Sequence, residues 1–183
     1  MREGAVMLLN HIGQNDKIFL LVDPDCDGIT SSALFLNYLH NLFPNYVENN
    51  IIYTFPKGKE HGIKCEMVPD DIKLVILIDS SSNTYDEHKV LKEKGIDVLV
   101  LDHHEAPKIS NDACIINNQL CDYPTKSLSG VGIAYKFCSY IDKFLDNKFA
   151  NNYLDLLALG CIADVMNLRE NCEIWHLVSK GLK

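Results

Sequence analysis

Carboxylate and imidazole side chains recur in this sequence at positions where they could hold divalent cations. Asp23, Asp25 and Asp27 alternate with other residues directly after an apolar run. Clustered carboxylates raise one another's pKa, so burying them together is costly unless a cation is bound. Oxygen ligands with one or two imidazoles suit manganese or magnesium better than a thiolate-seeking metal. The candidate metal and catalytic residues are Asp23, Asp25, Asp27, Asp79, Asp102, His103, His104 and Asp164.

Two cations held by such residues would support hydrolysis of a phosphodiester. Ions roughly 3.5–4 Å apart can share a hydroxide and clamp a phosphate during in-line attack. Asp164 favours a buried site, because it lies in the apolar segment GCIADVMNL, where an unpaired carboxylate is expensive. A single Asp after a strand is commonly a turn residue or a helix cap. The prediction therefore depends on the conjunction of these residues.

Other interpretations of the same residues explain less of the sequence. DPDCDG fits the start of an EF-hand loop, but the twelfth position, which requires Glu, is Leu34. Residues 104–105 do not begin an H-E-x-x-H zinc helix, because position 108 is Lys. DCDGIT also resembles the start of haloacid-dehalogenase-like phosphatases, with Asp25 as nucleophile and Asp27 as acid/base, but this leaves the two histidines without a role. A solvated acidic turn would not explain three acids after a strand.

Three apolar runs position these acids. Residues 18–22 precede Asp23, residues 74–78 precede Asp79, and residues 97–101 precede Asp102. A continuous apolar run that ends in turn residues is typical of a strand buried on both faces of a parallel sheet. Ligands of open α/β sheets bind at the carboxyl ends of such strands. We therefore expect the acids to meet at one edge of a sheet.

The remaining pattern alternates strands with helices. Pro44 ends one predicted helix, and Gly95 closes another. Helices are predicted over residues 2–12, 30–42, 85–94, 131–145, 149–161 and 173–182, and strands over 18–22, 51–55, 74–78, 97–101 and 113–116. This order indicates an α/β fold with a doubly wound, mostly parallel five-stranded sheet flanked by helices.

Composition limits the class of protein. The 183 residues suit one α/β domain, and a hydrophobic content of 47% is ample for a core. The net charge of −8 argues against a strongly basic nucleic-acid-binding face, although bound cations would offset part of it. The seven cysteines form no C-x-x-C pair, and AVMLLN is too short for a signal or a membrane span. We expect a soluble cytoplasmic protein that does not bind membranes.

Several segments together resemble the DHH phosphoesterases. DPDCDGITS, the strand-terminal Asp79, the DHH triplet at 102–104 and GCIADVMNL match the four motifs of that family in order and approximate spacing. LSGVGIAYKF at 128–137 and FPKGKEHGI at 55–63 resemble the RecJ branch, whose members are single-strand-specific 5′-to-3′ exonucleases. The resemblance covers most of the chain.

The resemblance implies a role for each metal ligand. Asp25 would bind the first cation and Asp27 the second, and Asp79 would bridge them. His103 and Asp164 would complete the shell of the second cation. The cofactor is expected to be Mn2+, as two ions, with Mg2+ as the alternative.

The resemblance also implies contacts to the substrate. His104 would contact the scissile phosphate electrophilically, and Asp102 would orient a histidine. Gly28 would let the backbone turn tightly beside the ions, and hydroxyls at 30–32, Ser31 among them, would line the phosphate pocket. Basic candidates for phosphate contact lie in the 55–63 loop, at Lys57, Lys59 and His61.

Two features depart from the family pattern. Many members carry a His four residues before the Asp that matches Asp25, and here that position is Leu21. We expect weaker binding of the first cation, or help from Asp23. The family also carries a second, substrate-binding domain after a linker helix. We assign residues 1–168 to the catalytic domain and residues 169–183 to the start of a linker toward a domain absent from this sequence.

The predicted function is a metal-dependent phosphodiesterase, a single-strand-specific 5′-to-3′ exonuclease that releases 5′-nucleotides. Its partner would be single-stranded nucleic acid or a short oligonucleotide. The alternatives are a nanoRNase, a cyclic-dinucleotide phosphodiesterase, a pyrophosphatase, or a DHH scaffold module that has lost catalysis, which the substitution at Leu21 favours. The sequence shows no basic groove with stacking aromatics, the usual means of binding a single strand.

Overall fold

The computed structural model describes residues 1–56, 62–169 and 172–183. Strands and helices alternate through them, as the sequence predicts. The strands are β1 (Lys17–Val22), β2 (Ile51–Thr54), β3 (Ile72–Ile78), β4 (Asp97–Asp102) and β5 (Cys114–Asn117). The α-helices are α1 (Arg2–Gly13), α2 (Cys26–Leu42), α3 (Pro44–Asn50), α4 (Tyr85–Glu93), α5 (Gly130–Leu145), α6 (Leu154–Ala163) and α7 (Cys172–Gly181), and 3-10 helices span Cys65–Met67 and Phe149–Tyr153.

The five strands form one sheet in the order β2-β1-β3-β4-β5, and every neighbouring pair is parallel. The predicted α/β fold is confirmed. From β1 the chain crosses to β2 on one side, and it then returns to build β3, β4 and β5 on the other. The direction of winding therefore reverses between β1 and β3. In open α/β sheets, ligands bind at the carboxyl ends of the strands that flank such a reversal.

Both faces of the sheet are covered, which is why the central strands are continuous apolar runs. Leu20 and Ile76 belong to the larger core, which also contains side chains from α1, α2, α5, α6 and α7. Phe19 and Val75 face the opposite way, into a smaller core that includes Leu91 of α4. Complete burial of each such side chain stabilises the fold by about 1.5–3 kcal/mol relative to exposure. The sheet is thus a rigid base for its carboxyl edge.

Helix α2 begins four residues before the predicted start. Its N-cap is Asp25, whose side chain accepts a hydrogen bond of 2.9 Å from the backbone N–H of Gly28. Aspartate is a favourable N-cap, and an acidic residue such as Asp27 in the first turn interacts favourably with the helix dipole. The three alternating aspartates therefore straddle the start of a helix, with Asp23 before it.

Two other boundaries differ from the prediction. Pro44 ends α2, as expected, but it also begins α3, because the first helical position tolerates the missing N–H of proline. The single helix predicted over 149–161 is divided into a 3-10 helix and α6. The carboxylate of Asp142 accepts a hydrogen bond of 2.9 Å from the N–H of Ala150 and so fixes the 3-10 segment.

Helix α7 packs against α6 and contributes to the larger core. Ile174 and Val178 are buried in that core. The carboxylate of Glu173 accepts hydrogen bonds from Tyr123 and Thr125 in the loop between β5 and α5. That the linker begins at residue 169 remains a prediction. Among the helices of the described residues, none has the length and apolar character needed to cross a membrane.

Candidate metal centre

The carboxyl edge of the sheet brings the predicted ligands together at the reversal between β1 and β3. Asp23 follows β1 directly, and Asp79 follows β3. One ligand atom each of Asp23, Asp25 and Asp79 lie within 4.8 Å of one another. Asp23 and Asp79 are buried, whereas Asp25 is exposed. These three carboxylates form the first ligand group.

A second group adjoins the first. Ligand atoms of Asp27, His103 and Asp164 lie within 4.8 Å of one another. His103 Nε2 is 3.1 Å from Asp79 Oδ1 and 3.6 Å from Asp164 Oδ2. Asp164 reaches the site because it is the C-cap of α6. Asp79 thus contacts the second group while belonging to the first.

The N-terminus of α5 binds the carboxylate of Asp27. The backbone N–H of Gly130 donates to Asp27 Oδ2 at 2.5 Å, and that of Val131 donates to Oδ1 at 3.1 Å. The hydroxyl of Ser129 donates to the same Oδ1 at 3.2 Å. The first amides of a helix lack intrahelical partners and carry partial positive charge, so they suit a carboxylate. This contact gives the LSGVG segment a physical role.

Glycines allow backbone to approach the ligands closely. A Cβ at Gly130 would lie 2.4 Å from Asp79 Oδ1, and a Cβ at Gly160 would lie 2.6 Å from Asp27 Oδ1. Gly28, which was expected to let the backbone turn tightly beside the ions, lies in the first turn of α2, and this role stays a prediction. Its Cβ would lie 2.5 Å from the Cβ of Asp23. The close approach of Asp23, whose backbone carbonyl oxygen would lie 2.6 Å from that Cβ, requires glycine there.

The electrostatics of the two groups fit a bound cation. Burial, followed by repulsion from Asp27 and Asp25, raises the pKa of Asp79 to about 10. Burial also raises the pKa of Asp27 and of Asp164. Asp79 Oδ1 and Asp164 Oδ2 are buried and accept no hydrogen bond from the described residues. Buried carboxylates of this kind require compensation, and carboxylate oxygens with an imidazole suit hard divalent ions.

Asp102 serves a different purpose from the other acids. Its Oδ1 lies 2.7 Å from His104 Nδ1, and its Oδ2 accepts a hydrogen bond of 3.0 Å from the N–H of Ser82. Burial opposes its ionisation, but the hydrogen bonds from His104 and Ser82 lower its pKa to about 2. The same bond raises the pKa of His104. With Nδ1 engaged, the exposed ring of His104 has Nε2 available to a ligand.

Three further expectations of the sequence analysis concern Ser31, Leu21 and the basic residues of the 55–63 loop. Ser31 was expected to line a phosphate pocket, but it is fully buried and its hydroxyl donates to the carbonyl of Asp27 at 2.6 Å, so the expectation is wrong. Leu21 is fully buried in the smaller core, on the face away from α2, whereas Asp23 lies among the ligands. The basic candidates Lys57, Lys59 and His61 lie outside the described residues.

Sequence reasoning missed the residues that position the ligands. The amides of α5 could have been anticipated, because a serine before a glycine-bearing helix start is a common N-cap signal. The loop after β3 gave no such signal. Asp79 and Ser81 have φ values of 64° and 75°, in the left-handed region that non-glycine residues rarely adopt. Strain of this kind clusters at functional sites.

Val165, next to Asp164, is also strained. Its φ is 55°, and its side chain is 85% exposed. It occupies the C′ position of α6, with Val165 N–H bonded to the carbonyl of Ile162 and Met166 N–H to that of Cys161, both at 3.1 Å. Glycine is the usual residue there.

We expect Val165→Gly to raise the free energy of unfolding by about 1 kcal/mol. The left-handed conformation costs an L-residue roughly 1–2 kcal/mol, of which the greater backbone freedom of glycine offsets part. Urea denaturation measures the change. Gly95→Ala is the mirror control: Gly95 has a φ of 72° and nothing within 4 Å of its added Cβ, so that variant should be destabilised. If Val165→Gly lowered the free energy of unfolding, the conclusion that Val165 is strained would be contradicted.

The chain is similar to known proteins over nearly its whole length. The family model described as "DHH family, N-terminal domain" matches residues 17–161. A putative SPbeta prophage-derived single-strand DNA-specific exonuclease, YorK of Bacillus subtilis, is 41% identical over 182 residues, which is 99% of this chain and 31% of that protein. This chain thus spans about a third of the length of that curated relative.

Solved structures agree with the fold. A crystal structure of exonuclease RecJ bound to manganese superimposes with a TM-score of 0.86 at 24% identity, covering 99% of this chain and 46% of that one. RecJ of Thermus thermophilus in complex with Mn2+ gives a TM-score of 0.81 at 26% identity, covering 99% of this chain and 26% of that one.

Proposed function

This chain belongs to the DHH family, and from that premise we propose that it is the catalytic domain of a metal-dependent phosphodiesterase that digests single-stranded DNA from its 5′ end. One observation carries the proposal: three overlapping groups of possible cation ligands meet at the carboxyl edge of the sheet, and Asp79 belongs to two of them. The relative YorK is named as a single-strand DNA-specific exonuclease. The DHH relatives that cleave short oligonucleotides, cyclic dinucleotides or pyrophosphate are the alternatives within the same chemistry.

Two divalent cations would occupy the centre. Asp23, Asp25 and Asp79 would hold one, and the second ligand group would hold the other, with Asp79 shared. Mn2+ is the proposed ion, because the ligands are oxygens and an imidazole, and Mg2+ is the alternative, since RecJ of Thermus thermophilus is known in complex with each of the two ions. When bound, such ions polarise the phosphodiester and lower the pKa of water.

The histidine beside the centre would contact the phosphate. Asp102 remains ionised at neutral pH, because its pKa is about 2, and it fixes the Nδ1 side of His104. The raised pKa of His104 favours the protonated ring, in which Nε2 is also a donor. His104 would therefore donate a hydrogen bond to a phosphate oxygen and stabilise its charge in the transition state. Asp102 would act by positioning this ring.

We place the protein in the cytoplasm, since all seven cysteines are unpaired. Against the scaffold hypothesis, Asp23 would supply a ligand in place of the histidine that Leu21 replaces, since its ligand atom lies within 4.8 Å of those of Asp25 and Asp79. Residues 1–168 remain the proposed catalytic unit, and residues 169–183 the proposed start of a linker.

Digestion of defined DNA tests the proposal. With Mn2+, the purified chain should convert a 5′-phosphorylated single strand into 5′-mononucleotides, leave a blunt duplex intact, and stop when a chelator is added. Asp164→Asn should lose the activity. Asp155→Asn is the matched control, because it lies in the first turn of α6, roughly 13.5 Å along the helix from Asp164 at 1.5 Å per residue. Equal digestion with and without chelator would refute the proposal.

A further inference from the structure

A cavity of about 430 Å3 opens beside the candidate metal centre. Asp79, Asp102 and His104 line it together with the loop of residues 80–84, between β3 and α4. Small-molecule pockets begin at roughly 300 Å3, so this cavity has room for one nucleotide-sized group. His104 lies at the boundary between the cavity and the centre.

Apart from the imidazole of His104, the described lining of the cavity is polar or acidic. Among the described residues that line the cavity there is no lysine or arginine, whereas Asp79, Asp102 and Glu105 are acidic. The other described lining residues are Gly62, His104, four residues with hydroxyls and Asn83 with its amide. Such a surface suits an uncharged group rich in hydrogen-bond donors and acceptors, as a sugar and a base are.

Most hydroxyls of the loop already have partners. Ser81 Oγ accepts a hydrogen bond of 3.3 Å from the N–H of Ile63, and Ser82 Oγ accepts one of 2.9 Å from the amide of Asn117. The hydroxyl of Thr84 donates to the carbonyl of Ser81 at 3.2 Å. These bonds fix the shape of the loop, and they leave the three hydroxyls less available to a ligand.

Ser80 and Asn83 are the exceptions. Ser80 is 6% exposed, and its hydroxyl has no hydrogen-bond partner among the described residues. A buried hydroxyl without a partner costs free energy that a ligand can recover. Asn83 is exposed, and within the described part of the chain its side chain makes no hydrogen bond. Its amide offers one donor group and one acceptor, the pair that base edges present.

We propose that Ser80 and Asn83 bind the nucleoside, the sugar and base, whose phosphate is held at the metal centre. This inference rests on the proposed phosphodiesterase function. The shared boundary at His104 lets one nucleotide place its phosphate against the cations and its uncharged part in the cavity. The loop would thereby give affinity for nucleotides over other phosphodiesters.

Two substrates distinguish an effect on nucleoside binding from an effect on the hydrolysis itself. One is a 5′-phosphorylated thymidine dinucleotide, and the other is bis(p-nitrophenyl) phosphate, a diester without a nucleoside. In Asn83→Ala and in Ser80→Ala, the ratio of kcat/KM for the dinucleotide to that for the aryl diester should fall about tenfold, mainly through KM. Asn111→Ala is the control, since Asn111 is an exposed loop residue before β5, at the amino edge of the sheet. Ser80→Ala removes an unpartnered hydroxyl, so its melting temperature should not fall.

Binding of thymidine 5′-monophosphate by calorimetry gives a readout independent of turnover. Both loop variants should weaken it about fivefold or more, with inorganic phosphate bound as in the wild type. If both loop variants kept the nucleotide affinity and the substrate ratio of the wild type, the proposed nucleoside contact would be overturned and the phosphodiesterase function would stand. If the loop variants bind the nucleotide more weakly but the wild type hydrolyses neither diester, the nucleoside pocket would be supported and the phosphodiesterase function would be overturned.

Discussion

Asp79→Asn is expected to reduce phosphodiester hydrolysis by about a thousandfold or more and, at the same time, to stabilise the cation-free protein. Both effects follow from the position of Asp79 between the two ligand groups. Loss of a shared ligand removes several kcal/mol of charge stabilisation in the transition state, and each 1.36 kcal/mol corresponds to about a tenfold change in rate. Without cations, the buried carboxylate lowers the free energy of unfolding, and an amide of the same shape removes this cost.

The same variant should alter the dependence of stability on pH. Because the pKa of Asp79 is about 10 in the folded protein and 3.8 in its ordinary state, the folded form binds a proton between these values that the unfolded chain releases. The free energy of unfolding therefore falls as pH rises through this window. Asp27 and Asp164, with raised pKa values, act in the same direction. Asp79→Asn should flatten the slope.

Thermal melts in chelator at about pH 5, 7 and 9 measure this slope. Addition of Mn2+ should restore the stability of the wild type at the two higher pH values, since a ligand that binds only the folded state stabilises it. Calorimetric titration should show Mn2+ binding that Asp79→Asn loses. Asp155→Asn should match the wild type throughout. An Asp79→Asn protein that keeps Mn2+ binding and the wild-type pH slope would refute the assignment.

Gly130→Ala is expected to reduce activity by about a hundredfold. Its new Cβ would lie 2.4 Å from Asp79 Oδ1 and 2.6 Å from the Cβ and Cγ of Asp79, so either the carboxylate or the start of α5 must move. Displacement by about 1 Å is enough for a loss of this size, and overpacking also costs about 1–3 kcal/mol of stability. The amide that binds Asp27 would move with α5. Steady-state kinetics and Mn2+ titration measure both consequences.

Gly132→Ala is the matched control in the same helix. The nearest atom to its Cβ is Leu128 Cδ2 at 3.2 Å, the end of a flexible side chain that can shift. Alanine also favours the helix over glycine, so stability should change by less than about 1 kcal/mol. Activity should remain within about twofold of the wild type. If the two variants behaved alike, the close approach of Gly130 to Asp79 would not be functionally important.

Much of the fold could be predicted because its signals are local. The apolar runs before Asp23, Asp79 and Asp102 identify strands buried on both faces, and parallel strands place their carboxyl ends at one edge. The cation ligands could be predicted for the same reason, since each follows a strand or ends a helix. The start of α2 was misjudged because Asp25 can be either a turn residue or a cap, and only its bond to Gly28 decides which.

The sequence by itself determined the α/β class, the order of strands and helices, and the set of acids and histidines that can bind cations. Only the tertiary structure decided how these residues combine: the contact of Asp79 with His103, the binding of Asp27 by the amides of α5, and the cavity beside His104. The physical reason is distance along the chain. Residues 27 and 130 have no local signal that relates them, and the packing of α2 against α5 brings them together.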